Sequence, residues 1–228
     1  MSPKKVKITK HQMKEDKLVT TALKLSEYVR RHAKEFLMVG AGVVMVVVIV
    51  LFIVSSNKSR DQKAAELLGK ARVELEASEF QPASADLQGI LRSYGGTKAA
   101  QEALYLMGNS SYYSRDYDQA LKHFQDFVKK YPKAEPLLLA GAYSGIGDCY
   151  LQKGEYDKAA ENYLKAVNKN LDEFVIPVYL LSAARAYVKA NQPDKAKKLY
   201  ERIIMEYPQS KEVFQARLEL AGLSVYES

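Results

Sequence analysis

The chain has a single cysteine, Cys149, three histidines and no tryptophan in 228 residues. One cysteine excludes an intrachain disulfide, and it leaves the redox compartment open. His11 and His32 lie near the N-terminus and His123 stands alone beside Phe124, so no pair has metal-ligand spacing. Gly95-Gly96 lacks the lysine and the further glycines of a phosphate-cradling loop. The acid pair Asp116/Asp118 flanks a turn, where capping is a sufficient role. Cys149 sits among apolar helix-patterned residues, as a buried structural thiol does. No catalytic, metal or cofactor constellation emerges, and the chain is expected to be no enzyme and to carry no cofactor.

Charge is absent from one long stretch. Phe36–Val54, FLMVGAGVVMVVVIVLFIV, holds no Asp, Glu, Lys or Arg over nineteen residues. At a helical rise of about 1.5 Å per residue it reaches roughly 28 Å, close to the hydrocarbon thickness of a bilayer. A cleaved signal peptide usually has a shorter apolar core and a shorter leader. A buried core helix usually carries polar interruptions on one face. An uncleaved transmembrane helix is therefore expected at residues 36–54, with Val54-Ser55-Ser56 leaving cleavage as the alternative.

A charge imbalance is also missing from most of the chain. The net charge of +7 suggests nucleic acid until it is located. Ten of the 34 basic residues and four of the 27 acidic ones lie in residues 1–35, which leaves 24 basic against 23 acidic in the remainder. The excess belongs to the membrane-flanking tail, where a topology signal or an anionic lipid surface accounts for it, and no nucleic-acid partner is expected. In this tail Leu18, Ala22, Leu25 and Val29 recur at helical spacing, with Asp16 as the expected cap, which predicts a short amphipathic helix. The close flanks of the span tie at five basic residues each: Lys17, Lys24, Arg30, Arg31 and Lys34 against Lys58, Arg60, Lys63, Lys70 and Arg72. The whole tail tips the balance towards a cytoplasmic N-terminus. Residues 55–63 are polar and are expected to form a juxtamembrane linker to a domain at 64–228.

That domain repeats itself. Small residues recur at Ala71, Gly108, Gly147, Ala184 and Ala221, at spacings of 37, 39, 37 and 37. A second series, Ala83, Ala120, Ala159 and Ala196, keeps the same register, and four residues later come Leu87, Phe124, Tyr163 and Tyr200. Phe80, Tyr117, Tyr156 and Pro193 stand three residues before each second alanine. Two helices approach closely where a side chain is small, so Gly108 and Ala120 are expected at a crossing with Phe124 filling the space beside it. Gly154 and Pro193 mark turns, and Tyr94-Gly95, Tyr131-Pro132 and Tyr207-Pro208 mark helix exits. The prediction is an all-α chain with a solenoid of about four helix pairs, beginning near Ala64, Gln101, Ala140 and Pro177, and a terminal half-unit at Phe214–Leu223.

The unit resembles the tetratricopeptide repeat across residues 64–223, with Gly147, Tyr150, Tyr156, Ala159, Tyr163 and Ala166 of the third unit all in place. It departs where that unit has Leu171 in place of proline and where the first unit has Glu74 at the place of Tyr150. The resemblance implies a non-catalytic scaffold whose first helices line a groove for a protein or peptide. Mapping the family's groove positions selects Arg72, Tyr105, Asn109, Tyr112, Tyr113, Ser144, Asp148, Leu181, Arg185 and Lys189. The layout is similar to that of bacterial single-span inner-membrane proteins with a periplasmic repeat domain, among them the ancillary subunit of the Sec translocon. It implies a periplasmic repeat domain, bilayer contact through residues 36–54, and a role in secretion or envelope assembly. A cytosol-facing receptor for chaperone tails and a self-associating structural subunit are the alternatives, and the sequence sets no oligomeric state.

Overall fold

The computed structural model describes residues 10–169 and 172–226; the irregular exit expected at Leu171 lies outside them. Ten helices and no strand occur among the described residues: α1 Lys10–Arg31, α2 Ala33–Glu76, α3 Phe80–Ser93, α4 Lys98–Tyr113, α5 Tyr117–Lys130, α6 Pro136–Gln152, α7 Tyr156–Val167, α8 Ile176–Lys189, α9 Pro193–Glu206 and α10 Glu212–Tyr226. The chain divides into two compact units, Met1–Lys58 and Ser59–Ser228.

In the first unit, α1 starts at Lys10, so Asp16 lies inside the helix and is no cap. The residues from Lys10 to Glu15 include neither glycine nor proline, and a helix has no reason to begin later. Val19, Leu23, Leu25 and Val29 are exposed on it. The span lies within α2, whose most apolar window has a mean hydropathy of 3.2 and no buried residue. By length and composition this helix can cross a membrane. The polar stretch at 55–63, expected as a juxtamembrane linker, is helical. It contains no glycine or proline, and extending an existing helix costs far less than nucleating one.

In the second unit, successive helices pack on one another, and residues 64–76 of α2 form the first helix of the first pair, sharing a cluster with Leu87 and Ile90 of α3. Three apolar clusters follow one another: Ala64, Leu68, Leu87 and Ile90; then Ala120, Phe124, Phe127 and Ile146; then Tyr163, Leu180, Tyr200 and Ile203. Leu91 touches the first two and Tyr150 the last two, so the core is continuous along the stack. The repeated Ala83, Ala120, Ala159 and Ala196 are fully buried, and Leu87, Phe124, Tyr163 and Tyr200 nearly so. Ala221, fifth in the first series, lies on α10, after which the described residues hold no second helix, and it is exposed.

Glycines fix where the helices meet. A Cβ on Gly108 would come within 2.5 Å of the Phe124 ring, and a Cβ on Gly145 would do the same from the other side. Phe124 of α5 is thus wedged between α4 and α6, as the spacing of small and large residues predicts. Gly147 admits the Tyr163 ring in the same way, at 2.9 Å from an added Cβ.

The turn inside each pair is one motif used four times. Ser78, Arg115, Gly154 and Asn191, at spacings of 37, 39 and 37, all have positive φ (62°, 64°, 77° and 57°). After each of them, the N–H of Glu79, Asp116, Glu155 or Gln192 donates to the carbonyl five residues back: Glu74, Ser111, Tyr150 or Tyr187. This is the Schellman termination of one helix. The same four residues are the N-caps of the next helices, and their carbonyls accept from Ala83, Ala120, Ala159 and Ala196. Asp116 adds a side-chain cap to the Gln119 N–H, at 3.1 Å.

Glycine takes the left-handed conformation freely and asparagine tolerates it, whereas Ser78 and Arg115 hold it under strain. Gly154→Ala should lower unfolding stability by about 1 kcal/mol, and Arg115→Gly should raise it by about 0.5–1 kcal/mol. Urea midpoints of the repeat domain in the full-length protein would measure both.

Candidate partner-binding face of the first helices

The first helices of the pairs are the end of α2, then α4, α6 and α8, with α10 as the half-unit. Their surface side chains differ in what holds them. Arg72 of α2 pairs with Glu102 of α4. Arg185 of α8 makes a bidentate pair with Glu219 of α10, at 2.9 Å from Nε and 2.7 Å from an Nη to Oε1. Lys189 extends over the Tyr156 ring at 5.9 Å. The predicted cations of this face are therefore already engaged.

The predicted tyrosines divide. Tyr113 is 65% exposed and stacks on Phe80, with ring centroids 6.1 Å apart and planes 18° apart. Tyr112 is half-buried against Tyr117 at 5.5 Å and meets Tyr113 edge-on at 5.8 Å. Its hydroxyl accepts from Gln152 of α6 at 3.4 Å. Tyr105 is half-buried over α6: a Cβ on Gly141 would lie 2.7 Å from its Oη. Burial pushes the Tyr105 phenol upward, partly offset by a hydrogen bond with Asn109. Tyr113 is the open aromatic surface, and Phe80, Tyr105 and Tyr112 are shared between packing and surface.

On α6, Ser144 and Asp148 are half-buried. Asp148 accepts a hydrogen bond from the Tyr163 hydroxyl at 2.6 Å, and burial raises its carboxyl above the ordinary range. Burial, followed by the Asp148 charge, lifts the neighbouring Cys149 thiol to about 12. A thiol so disfavoured as thiolate is unreactive. Among the described residues no group of three or more His, Cys, Asp or Glu could hold a metal.

Leu181 corrects the map of the face. It is 7% exposed and belongs to the last core cluster. On α8 the open stripe runs through Val178, Ser182, Arg185 and Lys189, so the surface position is Ser182, one residue after the predicted one. The polar stripe Ser182, Arg185 and Lys189 is visible in the sequence at helical spacing and was the available signal. Tyr179, half-buried on α8, has its phenol pushed upward by burial and was not among the predicted residues.

Family models described as tetratricopeptide repeat match residues 105–173 and 179–210. The chain carries tetratricopeptide repeats. No curated protein matches it. Among solved structures, a tetratricopeptide repeat protein from Parabacteroides merdae is similar with a TM-score of 0.59 at 15% identity, over 72% of this chain and 61% of that one. A crystal structure of MamA gives 0.56 at 17% identity, over 69% of this chain and 84% of that one. A second MamA structure gives 0.53 at 21% identity, over 72% and 80%. At these identities the likeness is one of fold. Tetratricopeptide repeats are protein-interaction scaffolds, and the stacking of first helices along one face is the surface they offer.

The last first-helix, α10, is tied to this scaffold by one carboxylate. Glu219 accepts from Arg185, from the Tyr200 hydroxyl at 2.7 Å and from Gln215 at 2.7 Å. Burial alone would raise its pKa, but these hydrogen bonds outweigh burial and the carboxyl is held below its ordinary 4.5. A depressed native pKa means that the stabilisation is complete above pH 4.5 and is lost as pH falls below it. Glu219→Gln should cost about 1 kcal/mol, since the site is partly screened by solvent, and should flatten the acid limb of the stability profile. Urea unfolding between pH 7 and pH 3 would record both effects.

Proposed function

We propose that the chain is a membrane-tethered scaffold that binds a partner protein or peptide on the first-helix face of its repeats. In this reading residues 36–54 lie in a bacterial inner membrane, the basic tail is cytoplasmic and the repeat domain is periplasmic, serving secretion or envelope assembly. The observation that carries it is the exposed Tyr113 ring at the end of the first helix α4, stacked on the half-buried Phe80 of α3 and edge-on to Tyr112. Aromatic side chains of this kind dominate binding energetics at protein interfaces. The charge-free span and the basic tail support the placement. A receptor that clamps a terminal carboxylate fits less well, because Asp148 would repel that group.

Co-purification of the full-length, detergent-solubilised protein with its partner tests the binding surface. Tyr113→Arg should reduce the recovered partner at least about tenfold, the scale of a hot-spot loss. Lys198→Glu on α9 should leave recovery unchanged. Equal recovery from both variants would remove the first-helix face as the binding site. Protease added to spheroplasts should digest the repeat domain, and protection would reverse the topology.

A further inference from the structure

Asp148 puts a charge on the first-helix face that no ion pair among the described residues engages. Arg72 is held by Glu102, Arg185 by Glu219, and Lys153 at the end of α6 by Asp118. Among the described residues no cation lies within ion-pairing distance of Asp148, and its recorded hydrogen bond comes from the neutral Tyr163 hydroxyl. A half-buried carboxylate with one neutral donor has given up water without full compensation.

The surroundings give that charge a shaped site. Gly141, Ser144 and Asp148 follow one another at helical spacing along α6, and all three are partly exposed. The first two are small, so the floor is low where Tyr105 of α4 crosses Gly141. Tyr112 of α4 meets the same stripe one turn beyond Asp148, its hydroxyl accepting from Gln152 at 3.4 Å. A carboxylate lying between the α6 positions that two tyrosines touch offers an anion and aromatic surface to the same guest. Both attract a cation with an apolar stem.

We infer that this stretch of α6 is the specificity site of the binding face: Asp148, between the positions that Tyr105 and Tyr112 touch, takes a lysine or arginine side chain of the bound peptide segment. The inference rests on the proposed peptide-binding reading and gives it a chemistry. The cationic head meets Asp148, which keeps its Tyr163 hydrogen bond, and the methylene stem lies along the rings. The pocket selects against acidic segments by repulsion, which is how a discriminating site gains specificity.

A positional-scanning array of nine-residue peptides, probed with the full-length protein in detergent micelles, tests this. Lysine and arginine should be enriched at one position over norleucine and acetyl-lysine by about tenfold, and the preference should shrink with added salt. Asp148→Asn, which retains an acceptor for Tyr163, should abolish the preference while far-UV circular dichroism stays unchanged. Tyr112→Leu should reduce it about threefold, the scale of an exposed cation–π contact, and Tyr163→Phe, which leaves the charge in place, should keep it. Bound peptides without basic enrichment, or an enrichment that survives Asp148→Asn, would overturn the pocket and leave the groove standing. An array that binds no peptide at all would overturn both.

Discussion

Replacing Phe124 by alanine is expected to cost about 3–5 kcal/mol of unfolding stability, the range for deleting a buried aromatic ring. The ring is 1% exposed and is gripped between Gly108 and Gly145, which have no side chains to move into the space left behind. Around it, Tyr105 is 5.9 Å away and Ile146, Phe127 and Cys149 belong to the same cluster. Backbone cannot collapse into the cavity without pulling α4 and α6 together, so relaxation will recover little. In a solenoid each pair is stabilised mainly by its neighbours, so a fault in the middle uncouples both ends. Urea unfolding followed by circular dichroism should show a lower midpoint and a broadened or split transition. Gly145→Ala attacks the same wedge from the other side, because its added Cβ would sit 2.5 Å from a ring that is itself held in place. A loss of 1–3 kcal/mol is expected there from overpacking.

On the proposed anchoring through residues 36–54, two arginines in the middle of the span should release the protein from the membrane. Val44→Arg with Val47→Arg places two charges near the centre of residues 36–54, and each costs about 2.5–3.5 kcal/mol on an insertion scale. Together they remove about 5–7 kcal/mol, most of what such a segment can gain. Val44 and Val47 are exposed, like the span residues around them, so nothing in the chain shields the new charges. Alkaline carbonate extraction should move the double variant into the supernatant, whereas Val44→Leu with Val47→Leu should stay in the pellet. Retention of the arginine variant would mean that another segment holds the protein to the membrane.

The sequence reveals most where a physical constraint demands one residue type. Close helix approach tolerates only small side chains, so the Gly108/Ala120 register and the place of Phe124 could be read directly. Proline and glycine after Tyr94, Tyr131 and Tyr207 likewise announce the helix ends, and all three tyrosines are C-caps. Features set by energy differences of a few tenths of a kcal/mol are harder to read. The continuous α2 through residues 55–63 follows from the cooperativity of a helix already formed, which a window of polar residues conceals. The repeated left-handed turn is spelled by glycine only at Gly154, because Ser78, Arg115 and Asn191 are held in it by the same hydrogen bonds.

The binding face was legible as a set of helices more than as a set of side chains. Family positions fall on α4, α6 and α8, but on α8 Leu181 is buried and the half-buried Ser182 lies beside it. Pairing across helices is also invisible in one dimension. Arg72 and Arg185 look like free cations until Glu102 and Glu219 are found beside them, thirty and thirty-four residues away. Asp148 looks like one acid among 27 until its partner proves to be the neutral Tyr163 hydroxyl of α7.

The central claim is that the first-helix face, and no other, receives the partner. Site-specific incorporation of a photo-crosslinking amino acid at Tyr113 on α4, compared in cells with Glu161 on α7, tests it most directly. The account predicts a discrete crosslinked product from position 113 that position 161 does not give. Identical products from the two positions would contradict it.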